Sequence, residues 1–284
     1  MIYVVSTRIE YFTNNNIQEL SIYDSLTMLN SWGIIQINSV TSGNNPHNEE
    51  LLFFLFGNKK LDIQIIIDCR TISFLLYKEI LENKFIVGYN MNFQLQFIYN
   101  YSIIPKRIYD VSVAEFILTK KHYDLCEITS KRLNINIEEK REEKKICKKY
   151  YEDIVECSLV DLIYLEDIMY NQIEESKNIG VLDKIHEECN FILPMAYINW
   201  CSALKQKSNE TSIPSITKKV LERVFKWVIS NNYFKQVHLR LITQVNLDCD
   251  CPTEITNFPE VFNTIMKETE NEYYNKEVNY IEEN

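Results

Sequence analysis

Gly33-Ile34-Ile35-Gln36-Ile37-Asn38-Ser39-Val40 alternates apolar and polar side chains closely enough to predict a strand, and Leu20-Ser21-Ile22-Tyr23 reads the same way. Ile63-Gln64-Ile65-Ile66-Ile67-Asp68 is β-branched and nearly continuous, the pattern of a central strand buried on both faces. Three strands are therefore expected before residue 70. From Ser73 to Asn83 the apolar residues follow helical spacing, and Phe85-Ile86-Val87-Gly88 is a short strand after it. Strand, helix, strand implies a right-handed parallel crossover. Helices follow at Phe93 to Tyr101, with Phe93, Phe97 and Ile98 on one stripe, at Val111 to Leu118, at His122 to Leu133 and at Ile154 to Ile173. Asn178-Ile179-Gly180 has the form of a helix C-cap and marks a boundary between an α/β unit, residues 1–178, and a mostly helical region, residues 179–284. In the second region Leu182 to Leu204, Ser215 to Ile229 and Phe258 to Tyr274 predict helices, and Leu239 to Val245 a strand.

Composition narrows the partners. Asp and Glu outnumber Lys and Arg by 40 to 30, so the net charge of −10 repels a phosphate backbone and any nucleic-acid contact must be local. The block Glu138-Glu139-Lys140-Arg141-Glu142-Glu143-Lys144-Lys145 is almost balanced and reads as a solvated surface. Eight cysteines lack zinc spacing, which predicts reduced, buried thiols and an intracellular setting. No apolar run approaches the about 20 residues that cross a bilayer, and the N-terminus lacks the basic region and cleavage site of a secretory signal. The longest apolar run, Leu51-Leu52-Phe53-Phe54-Leu55-Phe56, is core.

The run Val87-Gly88-Tyr89-Asn90-Met91-Asn92-Phe93-Gln94 carries the main chemical signal. It resembles the second motif of the ribonuclease H-like 3′-5′ exonucleases, in which a small apolar residue precedes Gly-His-Asn, two variable residues, Phe and Asp. Tyr89 replaces His here and Gln94 replaces Asp. In that family the first strand supplies Asp-x-Glu, and a late helix supplies Tyr-Ala-x-x-Asp, so that four carboxylates hold two divalent cations. On this resemblance the first motif falls at Tyr23-Asp24-Ser25-Leu26-Thr27, with Leu26 in place of Glu, and the third at Cys157-Ser158-Leu159-Val160-Asp161, with Cys157 in place of Tyr. Asp110 to Leu118 and Tyr123 to Ile135 resemble the helices between the motifs. Beyond Gly180 the chain resembles a family A DNA polymerase: His186 to Ile198 is similar to the thumb entrance. Leu241 to Pro252 is similar to a palm hairpin in which Leu247 stands for the catalytic Asp. The interval between them is too short for a complete palm and fingers, so polymerase activity is not expected.

The resemblance implies a ribonuclease H-like mixed sheet flanked by helices, an α/β fold, with two of the four metal carboxylates left, Asp24 and Asp161. Such a pair would hold at most one weak cation. No cofactor is expected, and Mg2+ or Mn2+ only if exonuclease activity remains. Asp68 and Asp110 read as structural, and Glu115 is the nearest spare carboxylate. Tyr89, Asn90, Phe93 and Phe97 are the candidates for a nucleic-acid cleft, with the Asn90 amide expected to cap the following helix. The favoured function is a degenerate exonuclease-like subunit of a larger assembly with protein partners and possible nucleic-acid contact. An active exonuclease with relocated ligands and an unrelated scaffold are the alternatives.

Overall fold

The computed structural model describes residues 1–8, 12, 17–137 and 159–207. Seven strands form one mixed sheet: β1 (Ile2–Val5), β2 (Ile17–Glu19), β3 (Ile34–Thr41), β4 (Leu51–Asn58), β5 (Ile63–Asp68), β6 (Phe85–Gly88) and β7 (Arg107–Asp110), in spatial order β2-β1-β5-β4-β3-β6-β7. β4 is central and antiparallel to both neighbours, Ser39 facing Phe54 on one side and Leu55 facing Ile66 on the other. Its apolar run therefore faces core twice: Phe54 and Phe56 enter one cluster, Phe53 and Leu55 the other. Each such side chain contributes about 1.5–3 kcal/mol by leaving water.

Helices cover both faces. Against the first lie α1 (Ile22–Ser31), a 3-10 turn (Phe74–Tyr77), α2 (Lys78–Asn83) and α3 (Met91–Tyr99). Against the second lie α4 (Val111–Thr119), α5 (Leu125–Leu133) and α6 (Leu165–Ile179). The α/β sandwich agrees with the sequence expectation. Five strands rather than three precede residue 70, because β1, β2 and the β4 run are strands although residues 20–23 are not. The parallel crossover exists, but β4 and β3 lie between β5 and β6, so β6 pairs with β3 instead.

Residues 20–23 do not form a strand. Ser21 caps α1: its Oγ accepts from Asp24 N at 3.0 Å and donates to Asp24 Oδ2 at 2.6 Å, while Ser25 and Leu29 turn inward at helical spacing. Helix 154–173 is interrupted at Tyr164, and its residues 154–158 lie outside the described region. Gly180 ends α6 in the left-handed conformation, φ +72°, as its sequence predicts.

The helix beyond that cap, α7 (Leu182–Lys207), belongs to the same core. Ile185 and Cys189 enter the second cluster, whereas Phe191, Ile192, Leu193, Ala196 and Tyr197 enter the first. Tyr99 donates to the Leu193 carbonyl at 2.7 Å. The described part of region 179–284 is thus continuous with the α/β unit, and the remaining elements expected after it, including Leu247, lie outside the described residues. No described helix is long and apolar enough to cross a membrane.

A buried ion pair ties α4, α5 and α6. Glu115 is 1% exposed and accepts from Arg132 Nε at 2.7 Å and Gln172 Nε2 at 3.0 Å, while Arg132 also pairs with Glu175. Removing one partner of such a pair strands the other, at a cost of about 3–5 kcal/mol. Arg132→Met is expected to lower unfolding free energy by that amount in urea titration, and Arg132→Met with Glu115→Leu by markedly less.

Candidate functional site

The end of β3 points Asn38 and Val40 to the same face, two residues apart, just before a bulge at Val40/Thr41. Val40 is buried in the second cluster; Asn38 is half-buried and lines an open cavity of about 220 Å³. Its Oδ1 accepts from the Ser39 amide at 2.9 Å.

A second wall comes from the turn between β6 and α3. A Cβ on Gly88 would lie 2.3 Å from Met91 Sδ, so the glycine leaves the Met91 side chain room to pack back over the turn. Asn90 takes φ +51° at the N-cap position, a conformation that asparagine tolerates, and its side chain makes no capping bond. This corrects the capping role expected for it. Asp110, at the end of β7, accepts instead from Met91 N at 2.7 Å, and from Ser112 N and Oγ at 2.8 and 2.6 Å. One turn into α3, Gln94 donates from Nε2 to the Tyr89 carbonyl at 2.8 Å; its Oε1 is buried with no hydrogen-bond partner among the described residues.

The third wall is the helical turn 159–163, which carries Asp161. Gln64 Nε2 donates to the Leu159 carbonyl at 2.8 Å, and Gln36 Nε2 to Glu166 Oε2 at 3.1 Å. A Cβ on Gly57 would lie only 3.0 Å from Leu162 Cδ2, so the glycine lets this turn approach the sheet. The start of α5 completes the cavity with Asp124 and Cys126. Asp124 accepts from Glu127 N at 2.8 Å while Glu127 Oε2 accepts from Asp124 N at 2.9 Å, a reciprocal cap.

Gln94, Asp161 and Tyr89 line this one cavity. Asp24 does not join them. It is exposed in the first turn of α1, bonded to Ser21, and Leu26 on the same helix packs against the first core cluster. On the strand side of the cavity stands Asn38 of β3 instead, which the sequence reading missed because it is not acidic. Cys157 lies outside the described residues. Phe97 is 1% exposed and Phe93 packs against the same cluster, their rings 5.2 Å apart, so both are core and neither lines the cavity. Asn90 is exposed on the turn but does not line it either. Asp68 is structural as expected, held by Arg70 at 2.8 Å and Ser6 at 2.9 Å, and Glu115 is committed to Arg132. Sequence reasoning also missed Asp124, whose only signal is the capping spacing Asp124-x-x-Glu127.

The cavity's field is negative. Burial pushes the Tyr89 hydroxyl above its ordinary value, and Asp124, Asp110, Cys126 and Glu127 push it further in the same direction. Among the described residues no group of three or more His, Cys, Asp or Glu could hold a metal ion.

No protein-family model matches the chain, and no curated protein does. Solved structures do. NrnC of Brucella melitensis with bound Mg2+ superimposes with a TM-score of 0.51 at 13% identity, over 75% of this chain and 96% of that one. The catalytic core of RRP6 from Trypanosoma brucei gives 0.52 at 13% identity, over 80% of this chain and 63% of that one. A nuclease in its apo form gives 0.53 at 14%, over 75% and 97%. The fold is ribonuclease H-like, shared with these nucleases. At these identities the likeness concerns the fold.

Asp110 yields a pH prediction. Burial raises its pKa above 3.8, outweighing the donors that converge on it. As pH climbs through the window above 3.8, the unfolded chain has already lost this proton and the folded one has not, so stability from this group falls. Asp110→Asn, neutral throughout, removes that part of the slope: the stability difference, wild type minus variant, is expected to decrease with rising pH across that window in urea titrations.

Proposed function

We propose that this chain is a catalytically degenerate exonuclease-like protein that serves as a binding or structural subunit of a larger assembly. The observation that carries this reading is the side-chain set at the cavity. The resemblance puts Asp-x-Glu at residues 24–26, which lie in α1 away from the cavity; β3, whose Asn38 lines it, carries no acidic residue, Gln94 stands for the second-motif Asp, and of the carboxylates the resemblance names Asp161 lines the cavity.

Two dications about 4 Å apart repel by about 16 kcal/mol at an effective dielectric of about 20. Four surrounding carboxylates offset this. Asp161, even with Asp124 beside it, supplies half that charge, and Asp124 already caps α5. Asn38 and Gln94 can offer oxygen but no charge, and Val40 offers neither. The residues present therefore do not fit a pair of Mg2+ ions, and no hydrolytic step is derived through one. A net charge of −10 supports protein partners over an extended nucleic-acid track, with Tyr89 the one aromatic wall for a single-stranded contact. Descent from a family A polymerase rests on the resemblance of residues 186–198, which lie in α7.

One observation favours a second reading. Asp124 and Asp161 line the same cavity, so a single relocated carboxylate could serve an active exonuclease. Incubation with single-stranded DNA and RNA oligonucleotides in Mg2+ or Mn2+ separates the two. No shortening is expected from the unaltered protein, and Asn38→Asp, Val40→Glu and Gln94→Asp combined are expected to confer metal-dependent cleavage. Metal-dependent digestion by the unaltered protein, abolished by Asp161→Ala and by Asp124→Ala, would overturn degeneracy.

A further inference from the structure

We propose that the cavity between β3, α3 and α5 is a receptor for a guanidinium or ammonium group. The inference rests on the reading that no metal pair occupies it. Its walls are rich in acceptors: the carboxylates of Asp161 and Asp124, and Gln94, which is 4% exposed and whose buried Oε1 has no partner among the described residues. An orphaned buried carbonyl of this kind costs about 1–3 kcal/mol, and a bound donor would remove that cost. Tyr89 adds a ring face of the sort that attracts cations.

The alternative occupant is an anion such as a nucleotide phosphate, and the lining argues against it. Among the described residues no Lys, Arg or His lines the cavity, and no helix N-terminus there is unclaimed, since Asp124 already caps α5 with its own carboxylate. The uncharged side-chain donors of the described lining are the Asn38 amide, the Cys126 thiol, Gln94 Nε2, which is given to the Tyr89 carbonyl at 2.8 Å, and the Tyr89 hydroxyl, which is turned to the Tyr123 carbonyl at 3.4 Å. A volume of about 220 Å³ leaves room for a planar guanidinium and part of its methylene stem. Asp161 and Asp124 are the two carboxylates among the described lining residues, a set that matches one monovalent cation better than two dications.

The probe is agmatine, titrated calorimetrically into the full chain in EDTA and low salt. Saturable binding is expected, weakened at least tenfold, 1.4 kcal/mol, by Asp161→Asn and several-fold by Asp124→Asn, which keeps a capping side chain. Gln94→Leu, which removes the orphan, is expected to weaken binding and to leave the melting temperature equal or higher. Blocked arginine amide is titrated in parallel. Tighter binding of it than of agmatine assigns the group to a protein side chain, and the reverse to a free amine; both support the receptor. Absence of saturation at millimolar agmatine, indifference to all three exchanges, or displacement of agmatine by a single-stranded oligonucleotide in EDTA overturns it. Because these arms contain no divalent ion, their failure leaves degeneracy standing, whereas Mg2+-dependent cleavage in the separate nuclease assay removes degeneracy itself.

Discussion

One buried carboxylate joins the parts of this molecule that must be in register. Asp110 ends β7, accepts the first amide of α3, caps α4 through Ser112 and donates its own amide to Cys189 Sγ at 3.3 Å. α3 lies on one face of the sheet, α4 on the other, and α7 spans both. A residue hydrogen-bonded to three elements fixes their relative positions more tightly than apolar contact does, because each hydrogen bond has a direction. The β6–α3 turn is held from the Asp110 side and by the absence of a side chain at Gly88. Gln94 is placed by that turn, so the cavity inherits its shape from an interaction outside it.

The opposite wall is placed by buried amides rather than by charge. Gln64 reaches the Leu159 carbonyl from β5, Gln36 reaches Glu166 from β3, and Gly57 admits Leu162. These contacts orient the turn that bears Asp161 and involve none of the positions where metal ligands are expected. Geometry and charge at the cavity are therefore separable. A change of charge at Asn38 or Gln94 would leave every one of these supports intact, so the fold does not depend on what the cavity does.

The same separation decides what was legible in the sequence. β3, β5, β6 and α3 to α7 could be read because a buried face imposes its period on the letters. Gln94 and Asp161 could be read because each follows a structural landmark, the Gly88 turn and a long apolar helix. The strand motif could not. Without an acidic letter, Asn38-Ser39-Val40 is an ordinary alternating segment, and the nearest Asp upstream, Asp24, draws the motif reading by default. The capping spacing Ser21-x-x-Asp24 was the available signal that this residue begins a helix. Phe97 misled for the converse reason: a residue on the apolar stripe of an amphipathic helix is core before it is anything else, and its exposure of 1% follows from that stripe. Asp124 was invisible because a cap and a cavity wall are the same letter.

Gln94 is the residue that folding alone explains least. Its Nε2 bond to the Tyr89 carbonyl steadies the turn, yet the Asp110 bond to Met91 already holds it. Its Oε1 is left buried with no partner among the described residues, which destabilises the fold by about as much as the Nε2 bond returns. Leucine at this place would fill the α3 stripe without that penalty. A buried acceptor with no internal partner, beside two carboxylates and an aromatic ring, is accounted for when the missing donor comes from outside the chain. A positively charged donor satisfies the acceptor and the field together, and a neutral one satisfies the acceptor alone.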